Sequence, residues 1–305
     1  MFHAQKADAI ELAGPAPAIA DHVKGLRRAT LVGADVGAVH TGFALVALEP
    51  GGHVGMHLHS TEQSFYILRG HPEVTLEGRT YRLGPNDCGF IPVGAPHAWR
   101  APEGEEEPLF LEVNAPAPRT PGVGQPDTFW TGEPAPSGAA ETPDMRDART
   151  RSFYHLDLEQ MKFDNLKVGA SLSDPTVAAG MDSALLAYSG IGVKMLIDQR
   201  MDAALHTMFM VEYEPGGVAH PHDHPLEEAY VILEGEVEAH ADGEQYTLRA
   251  GDVFWTGVGC VHGFWNTSGA RVRFLETQSP QLPANHSYRF NRDWDYLAEH
   301  LGGTP

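Results

Sequence analysis

Apolar and polar residues alternate over short runs along most of this chain, and each run stops at Gly, Pro, Asn or Asp. The first half contains "FALVALEPGG" (43–52), "SFYILRG" (64–70), "EVTLEGRTYRLG" (73–84) and "CGFIPVGAPHAWRA" (88–101). The second half contains "MFMVEYEPGG" (208–217), "EAYVILEG" (228–235), "EVEAHADGEQYTLRAGD" (236–252) and "VFWTGVGCVHGFWN" (253–266). A period of two, with Val, Ile, Tyr and Phe abundant, predicts β-strands with one buried face. Turn signals every ~8–12 residues predict an all-β sandwich or barrel. The pairs Glu77–Gly78 and Asp242–Gly243 sit between strands as hairpin turns do.

The two sets of runs are copies of each other. Adding 165 to the residue number maps "EPGGHVGMHLHSTEQSFYILRG" (49–70) onto "EPGGVAHPHDHPLEEAYVILEG" (214–235) without a gap. From 49 to 97, 18 of 49 positions are identical at that offset, far above chance, so the chain holds two copies of one module. The expected organisation is an N-terminal arm (1–30), a first barrel (31–114), a Pro/Gly-rich linker (115–150), a second barrel (151–285) and a C-terminal helix and tail (286–305). The arm is expected to be irregular or briefly helical. In the tail, Leu297 and Leu301 share a helical face that ends at Gly302–Gly303. Within the linker, "TFWTG" (128–132) is rich enough in aromatic residues to anchor against a barrel.

The repeat places chemistry on its strands. His222 and His224 share strand parity with Glu228, and His262 follows on a later strand. Three imidazoles and a carboxylate form a mixed N/O set suited to Fe(II), Mn(II), Ni(II), Co(II) or Zn(II). The lack of Cys in the set argues against a closed structural zinc site. A metal that accepts six ligands would keep open positions for water, O2 or a chelating substrate. Tyr230 and Ile232 share the parity of Glu228 and are expected to line the same cavity, Tyr230 as a catalytic or hydrogen-bonding group. Phe254, Trp255, Phe264 and Trp265 flank the His262 strand and supply aromatic walls. His220 is expected at the rim, while Met208, Met210 and Cys260 are expected as packing residues.

In the first copy His57, His59 and His97 keep the three imidazoles, but Gln63 stands where the second copy has Glu228. Glu62 is adjacent, yet parity turns it to the opposite face, as it does Glu227. A Gln carbonyl can ligate but brings no charge. The first site is therefore expected to bind a divalent ion more weakly and to leave both of its positive charges uncompensated. Three outcomes are open: a weaker or different metal, histidines without metal, or catalysis in this copy.

The spacing Gly216–x5–His222–x–His224–x3–Glu228–x6–Gly235, followed by Gly251–Asp252 and Gly259–x2–His262–x3–Asn266, resembles the two motifs of the cupin superfamily. Gly257 departs from the usual proline, which Pro92 supplies in the first copy. The two-copy layout resembles the bicupins. That resemblance implies two tandem jelly-roll-type barrels, each with a metal in its cavity. It also implies a metal-dependent enzyme, with a non-haem dioxygenase on a small organic acid, enolic or phenolic substrate at the second barrel as the leading expectation. Fe(II) or Mn(II) leads, with Zn, Ni or Co as alternatives. O2-independent hydrolysis (or aminohydrolysis), decarboxylation or isomerisation is the second reading, and a non-catalytic ligand-binding barrel the third. The ureidoglycine aminohydrolases are similar in size and layout, but they order Glu and Gln differently among their ligands.

Composition narrows the partners. Of 305 residues, 41 are acidic and 21 basic, a formal charge of −20, which disfavours nucleic acid and anionic membrane. Two cysteines do not make a disulfide scaffold, and no long apolar run suggests a membrane span. The expectation is a cytoplasmic homodimer or larger homo-oligomer that acts on a small molecule.

Overall fold

A computed structural model describes residues 1–118, 127–132, 139–144, 147, 150, 152–161, 189–281 and 289–290. The strands are β1 (Phe2–Gln5), β2 (Val23–Val32), β3 (Gly42–His59), β4 (Glu62–Arg69), β5 (Glu73–Leu76), β6 (Arg79–Arg82) and β7 (Asp87–Ile91). They continue as β8 (His97–Arg100), β9 (Leu109–Ala115), β10 (Thr128–Trp130), β11 (Phe153–His155), β12 (Ile191–Ile197), β13 (Thr207–Tyr213) and β14 (Val218–Asp223). The last seven are β15 (Glu227–Glu234), β16 (Glu236–Ala241), β17 (Glu244–Arg249), β18 (Val253–Thr256), β19 (His262–Trp265), β20 (Val272–Ser279) and β21 (Arg289–Phe290). The protein is all-β, and its described helical turns are short 3₁₀ segments.

Strand parity sorts the side chains into three cores. The first barrel is one ten-stranded curled sheet, in which the 18-residue β3 reaches both faces and pairs with β2, β8, β9 and β10. Its interior packs Val46, Leu48, Phe65, Ile67, Trp99 and Phe110. In the second barrel a six-stranded sheet (β1-β18-β15-β20-β13-β12) faces a five-stranded one (β17-β16-β19-β14-β21). Tyr213, Tyr230, Ile232, Phe254, Phe264 and Phe274 fill that interior. The third core lies between the barrels and draws on both. Along β13, Phe209 and Val211 point into the second barrel, whereas Met208 and Met210 point into the shared core. Burying each such large apolar side chain contributes about 1.5–3 kcal/mol.

The repeat extends further than identity suggests. Left-handed backbone recurs at the same offset at Gly25/Gly190, Gly37/Asp202, Glu77/Asp242 and Asn86/Gly251. Strand β2 matches β12, so the first barrel's sheet begins at Val23, inside the segment expected as an irregular arm. The rest of that arm is also used. Its strand β1 pairs with β18 and so extends the second barrel's sheet. Conversely β11, which falls in the sequence expected for the second barrel, pairs with β7 of the first. Each barrel therefore has its edge covered by the segment that precedes the other. That answers the edge-strand liability, and alternation alone does not reveal which sheet an edge strand will join. Of the expected C-terminal helix, Arg289–Phe290 form a two-residue strand against Asp223 and His222. Leu297 and Leu301 lie outside the described residues.

A reciprocal pair of carboxylates ties the barrels together. Glu62 accepts hydrogen bonds from the backbone N–H groups of Ala204 and Leu205 (both 2.8 Å) and contacts His206 Nδ1 at 3.1 Å. Glu227 accepts from the backbone N–H groups of Val39 (2.9 Å), His40 and Thr41 (both 3.0 Å). These two contacts are one contact repeated at the 165-residue offset. Burial opposes charge on Glu62, but His206 and the two amides outweigh it and keep its pKa below the ordinary value.

Candidate metal centres and the first-barrel cavity

In the second barrel β14 carries His222, the turn after it carries His224, and β15 and β19 carry Glu228 and His262. A register shift in the β14–β19 pairing sets His222 directly opposite His262. One ligand atom from each of the four lies within 4.8 Å of the others, and all four residues are buried. The outward nitrogens are fixed. His222 Nδ1 donates to the carbonyl of His220 (2.7 Å), His224 Nδ1 to that of Leu226 (3.0 Å) and His262 Nδ1 to that of Cys260 (3.0 Å). This tautomer leaves each Nε2 lone pair facing inward, as a ligand needs. Burial and the neighbouring His262 lower His222 to about 4. Burial opposes charge on His224 as well, but Glu228, 2.8 Å away, raises its pKa overall. The same imidazoles hold Glu228 well below the usual carboxylate range against its burial.

Tyr230 sits where its parity placed it. Its hydroxyl donates to Glu228 and lies 3.1 Å from His262 Nε2. Gln278 donates to the other oxygen of Glu228 at 2.7 Å. Phe254, Phe264 and Phe274 surround the phenol ring. Trp255, by contrast, belongs to the shared core, and Trp265 packs against His240 with ring centres 4.3 Å apart and 43° between planes. Cys260 is buried in the barrel interior and its thiol is pushed up to about 11, chiefly by burial. His220 is partly buried at the start of β14's ligand run.

The first barrel builds the same frame. His57 and His97 are cross-strand partners, and His57, His59 and His97 bring their ligand atoms within 4.8 Å. His57 Nδ1 donates to the Gly55 carbonyl (2.7 Å), and His97 Nδ1 to that of Ala95 (3.0 Å). His59 Nδ1 meets the Thr128 hydroxyl at 2.9 Å. The inward Nε2 of His97 is buried without a hydrogen-bond partner, a costly orphan unless something coordinates it. Gln63 places its amide nitrogen 3.3 Å from His59 Nε2, and a flip of the amide would bring its oxygen there instead. Burial lowers His57, and with neighbouring imidazoles it lowers His97 further. Burial, His57 and the Arg28 charge bring His59 to about 3. All three are neutral near pH 7, so the donor set fits a divalent ion.

Besides Gln63 against Glu228, the two barrels differ in charge around one matched pair of inward carboxyls. Strand β9 places Glu112 inward, and β20 places Glu276 at the equivalent point. Arg28 on β2 is bonded to Glu112 at 3.0 Å. Burial would favour the neutral acid, but Arg28, with a bond from Asn114, keeps Glu112 ionised. Across from Glu276 the β12 position is Val193. Burial and the Glu228 charge raise Glu276 well above the ordinary carboxylate range, toward its neutral acid. Neither carboxyl is legible as a site residue in the sequence, because a single charged residue on a strand has no partner visible in one dimension.

A cavity opens beside the first cluster. Its wall includes His57, His59, Gln63, Arg28, Glu112, Thr128 and Trp130, with Val46, Val54, Trp99 and Phe110. Thr128 and Trp130 come from the linker segment, whose strand β10 pairs Thr128 with His59 and Trp130 with His57. The "TFWTG" anchor is therefore part of the site. Trp130 stacks on His22, ring centres 4.4 Å apart, and lies 5.1 Å from the His57 ring.

The Cupin domain family matches residues 44–113 and 209–277. A germin-like protein, subfamily T member 2, of Arabidopsis thaliana is 36% identical over 85 residues, covering 26% of this chain and 39% of that protein. The 5-nitrosalicylic acid 1,2-dioxygenase of Bradyrhizobium sp is 31% identical over 67 residues, covering 22% of this chain and 32% of that enzyme. The chain spans less than half of either relative's length. Among solved structures, the oxalate decarboxylase of Lactobacillus farciminis superposes with a TM-score of 0.60 at 16% identity, covering 99% of this chain and 94% of its own. A Bacillus subtilis oxalate decarboxylase described by its Mn(II) centres gives 0.60 at 18%, covering 98% and 83%. Those two likenesses concern the fold. No helix among the described residues is long and apolar enough to cross a membrane.

Proposed function

Because this chain belongs to the cupin superfamily and carries two cupin domains, we propose that it is a metal-dependent enzyme that oxygenates a small organic acid. The first-barrel cavity carries this reading. It joins a three-imidazole cluster to an apolar, aromatic wall that contains a guanidinium. The sequence favoured the second barrel because its ligand set includes Glu228. The cavity beside the first cluster supports reading the first barrel as the substrate site.

His57, His59 and His97 would hold the ion, with Gln63 as a neutral fourth ligand. An Fe(II) or Mn(II) ion there would supply Lewis acidity and, for iron, reactivity toward O2. Four neutral ligands leave its two charges uncompensated, which favours an anionic substrate. Arg28 faces the same space and can receive the acid's negative charge. Trp99, Phe110 and Trp130 exclude water from the reacting centre. A small, doubly charged acid such as oxalate would lose its hydration here against one guanidinium already shared with Glu112, so a larger apolar acid fits better. In the second barrel His222, His224, Glu228 and His262 would hold an ion with one charge cancelled, beneath the Tyr230 hydroxyl.

Decarboxylation without O2 is the second reading. The raised pKa of Glu276 favours it, because a neutral acid there could deliver a proton where a carboxylate leaves. Assaying the iron- and manganese-loaded protein on phenolic, enolic and dicarboxylic acids, with and without O2, separates the two. The proposal expects O2 uptake, abolished by His97→Ala. Anaerobic CO2 release that survives His97→Ala and stops in Glu276→Gln would replace it with the second reading.

A further inference from the structure

We propose that the first-barrel cavity selects an aromatic carboxylate, with Arg28 binding the carboxylate and Trp130 the ring. This deepens the preceding reading and rests on the same cavity. Arg28 is anchored at two of its nitrogens, to Glu112 (3.0 Å) and to the Thr30 hydroxyl (3.3 Å). Its Nε–H is buried and has no hydrogen-bond partner. A buried, unpaired donor of a guanidinium in a cavity wall is a costly feature that an incoming carboxylate would satisfy. Its orientation is fixed before the ligand arrives, so little side-chain entropy is lost on binding.

Trp130 supplies the second half of the recognition. One face is covered by His22 at 4.4 Å and 6° between planes, which holds the indole in place. It lines the cavity 5.1 Å from the His57 ring, so a planar group lying against it also lies beside the imidazole cluster. Trp99 and Phe110, stacked at 4.7 Å, form a further aromatic wall. A flat, apolar ring gains offset or edge contacts from such walls beyond its area burial, and a saturated ring of the same size does not.

The test is anaerobic calorimetric titration of the full-length, metal-loaded protein with four probes. These are 2-hydroxybenzoate, cyclohexanecarboxylate (charged, not aromatic), benzamide (aromatic, not charged) and oxalate. The expected result is that 2-hydroxybenzoate binds at least about tenfold more tightly than each of the others. Arg28→Lys keeps a positive charge opposite Glu112 but loses the Nε–H, and should weaken 2-hydroxybenzoate about tenfold. Trp130→Leu should weaken it about fivefold and leave cyclohexanecarboxylate within about twofold. Equal binding of cyclohexanecarboxylate, tighter binding of oxalate, or an unchanged affinity in both variants would overturn the proposal. If either variant melts too low to titrate, the probe series on the unaltered protein decides alone. Selective binding of 2-hydroxybenzoate without O2 uptake on any acid would leave this site standing and sink the oxygenase reading. O2 uptake on a non-aromatic acid, with no aromatic acid bound, would do the reverse.

Discussion

Arg28 and Val193 occupy equivalent positions on β2 and β12, and that difference, together with Glu228 in place of Gln63, sets the charge of the inward carboxyl in each barrel. With Arg28 opposite, Glu112 is held below the ordinary carboxylate range; with Val193 opposite and Glu228 nearby, the buried Glu276 is pushed well above it. In protein stripped of metal by a chelator, the infrared spectrum at pH 7 should contain a protonated carboxyl band that disappears in Glu276→Gln. An identical spectrum in the variant would contradict the assignment. The buried imidazoles set a second expectation. His57, His59 (about 3), His97 and His222 (about 4) all have folded pKa values below the ordinary 6.5. The unfolded chain therefore takes up protons first as pH falls. Their contribution is fully present above pH 6.5 and is lost progressively toward pH 3–4, by up to about 1.4 kcal/mol per pH unit for each group. Denaturant midpoints of the chelator-treated protein measured from pH 7.5 down to 4.5 should fall, the four lowered imidazoles outweighing the opposite contributions of His224 and Glu276, whose pKa values are raised. A flat profile across that window would refute the neutral-imidazole picture.

Strand β10 shows what an element can hide. The linker's composition marks it as a connection, yet three of its residues pair with the β3 ligand run and place Thr128 on His59. The Ser60 and Thr131 amides bond across this pairing to Asp127 and Met56, so by alternation Phe129 also bonds to Leu58. Phe129 is 53% exposed, so Phe129→Pro would remove a backbone donor with little loss of packing. That variant should weaken metal binding in the first barrel severalfold and leave the second unchanged, read by competition with a chromophoric chelator. Equal loss at both sites would show that β10 does not position the first cluster.

Here the limits of one-dimensional reading are visible. Ligand spacing, parity and the repeat were legible because they are local: His222, His224 and Glu228 lie within seven residues. Parity likewise placed Tyr230 inward and Glu227 outward. The Arg28–Glu112 pair, the β1–β18 pairing and the β7–β11 pairing were not legible. Their partners are separated by more than 60 residues, and nothing in the intervening sequence names them.

At the scale of the whole molecule, the two barrels share a core and are joined by Glu62 and Glu227, so they are expected to unfold together. Both carboxylates sit one residue before a metal-site position, Gln63 or Glu228, on the opposite face of the same strand. Glu62→Ala would remove the acceptor of the part-buried Ala204 and Leu205 amides and the partner of the buried His206, and Glu227→Ala the acceptor shared by the Val39, His40 and Thr41 amides. Each should cost on the order of 3 kcal/mol and lower the melting temperature while a single unfolding transition persists. Two separated transitions in the unaltered protein would show that the barrels are independent.

The central claim is that both barrels carry metal on the same imidazole frame. Elemental analysis of protein purified anaerobically and loaded with Fe(II), for the unaltered chain, His97→Ala and Glu228→Ala, tests it most directly. About two equivalents per chain are expected in the unaltered protein and about one in each variant, since each change disables one barrel. Unchanged metal content in His97→Ala would remove the first barrel from the account, and with it the cavity as a reaction site.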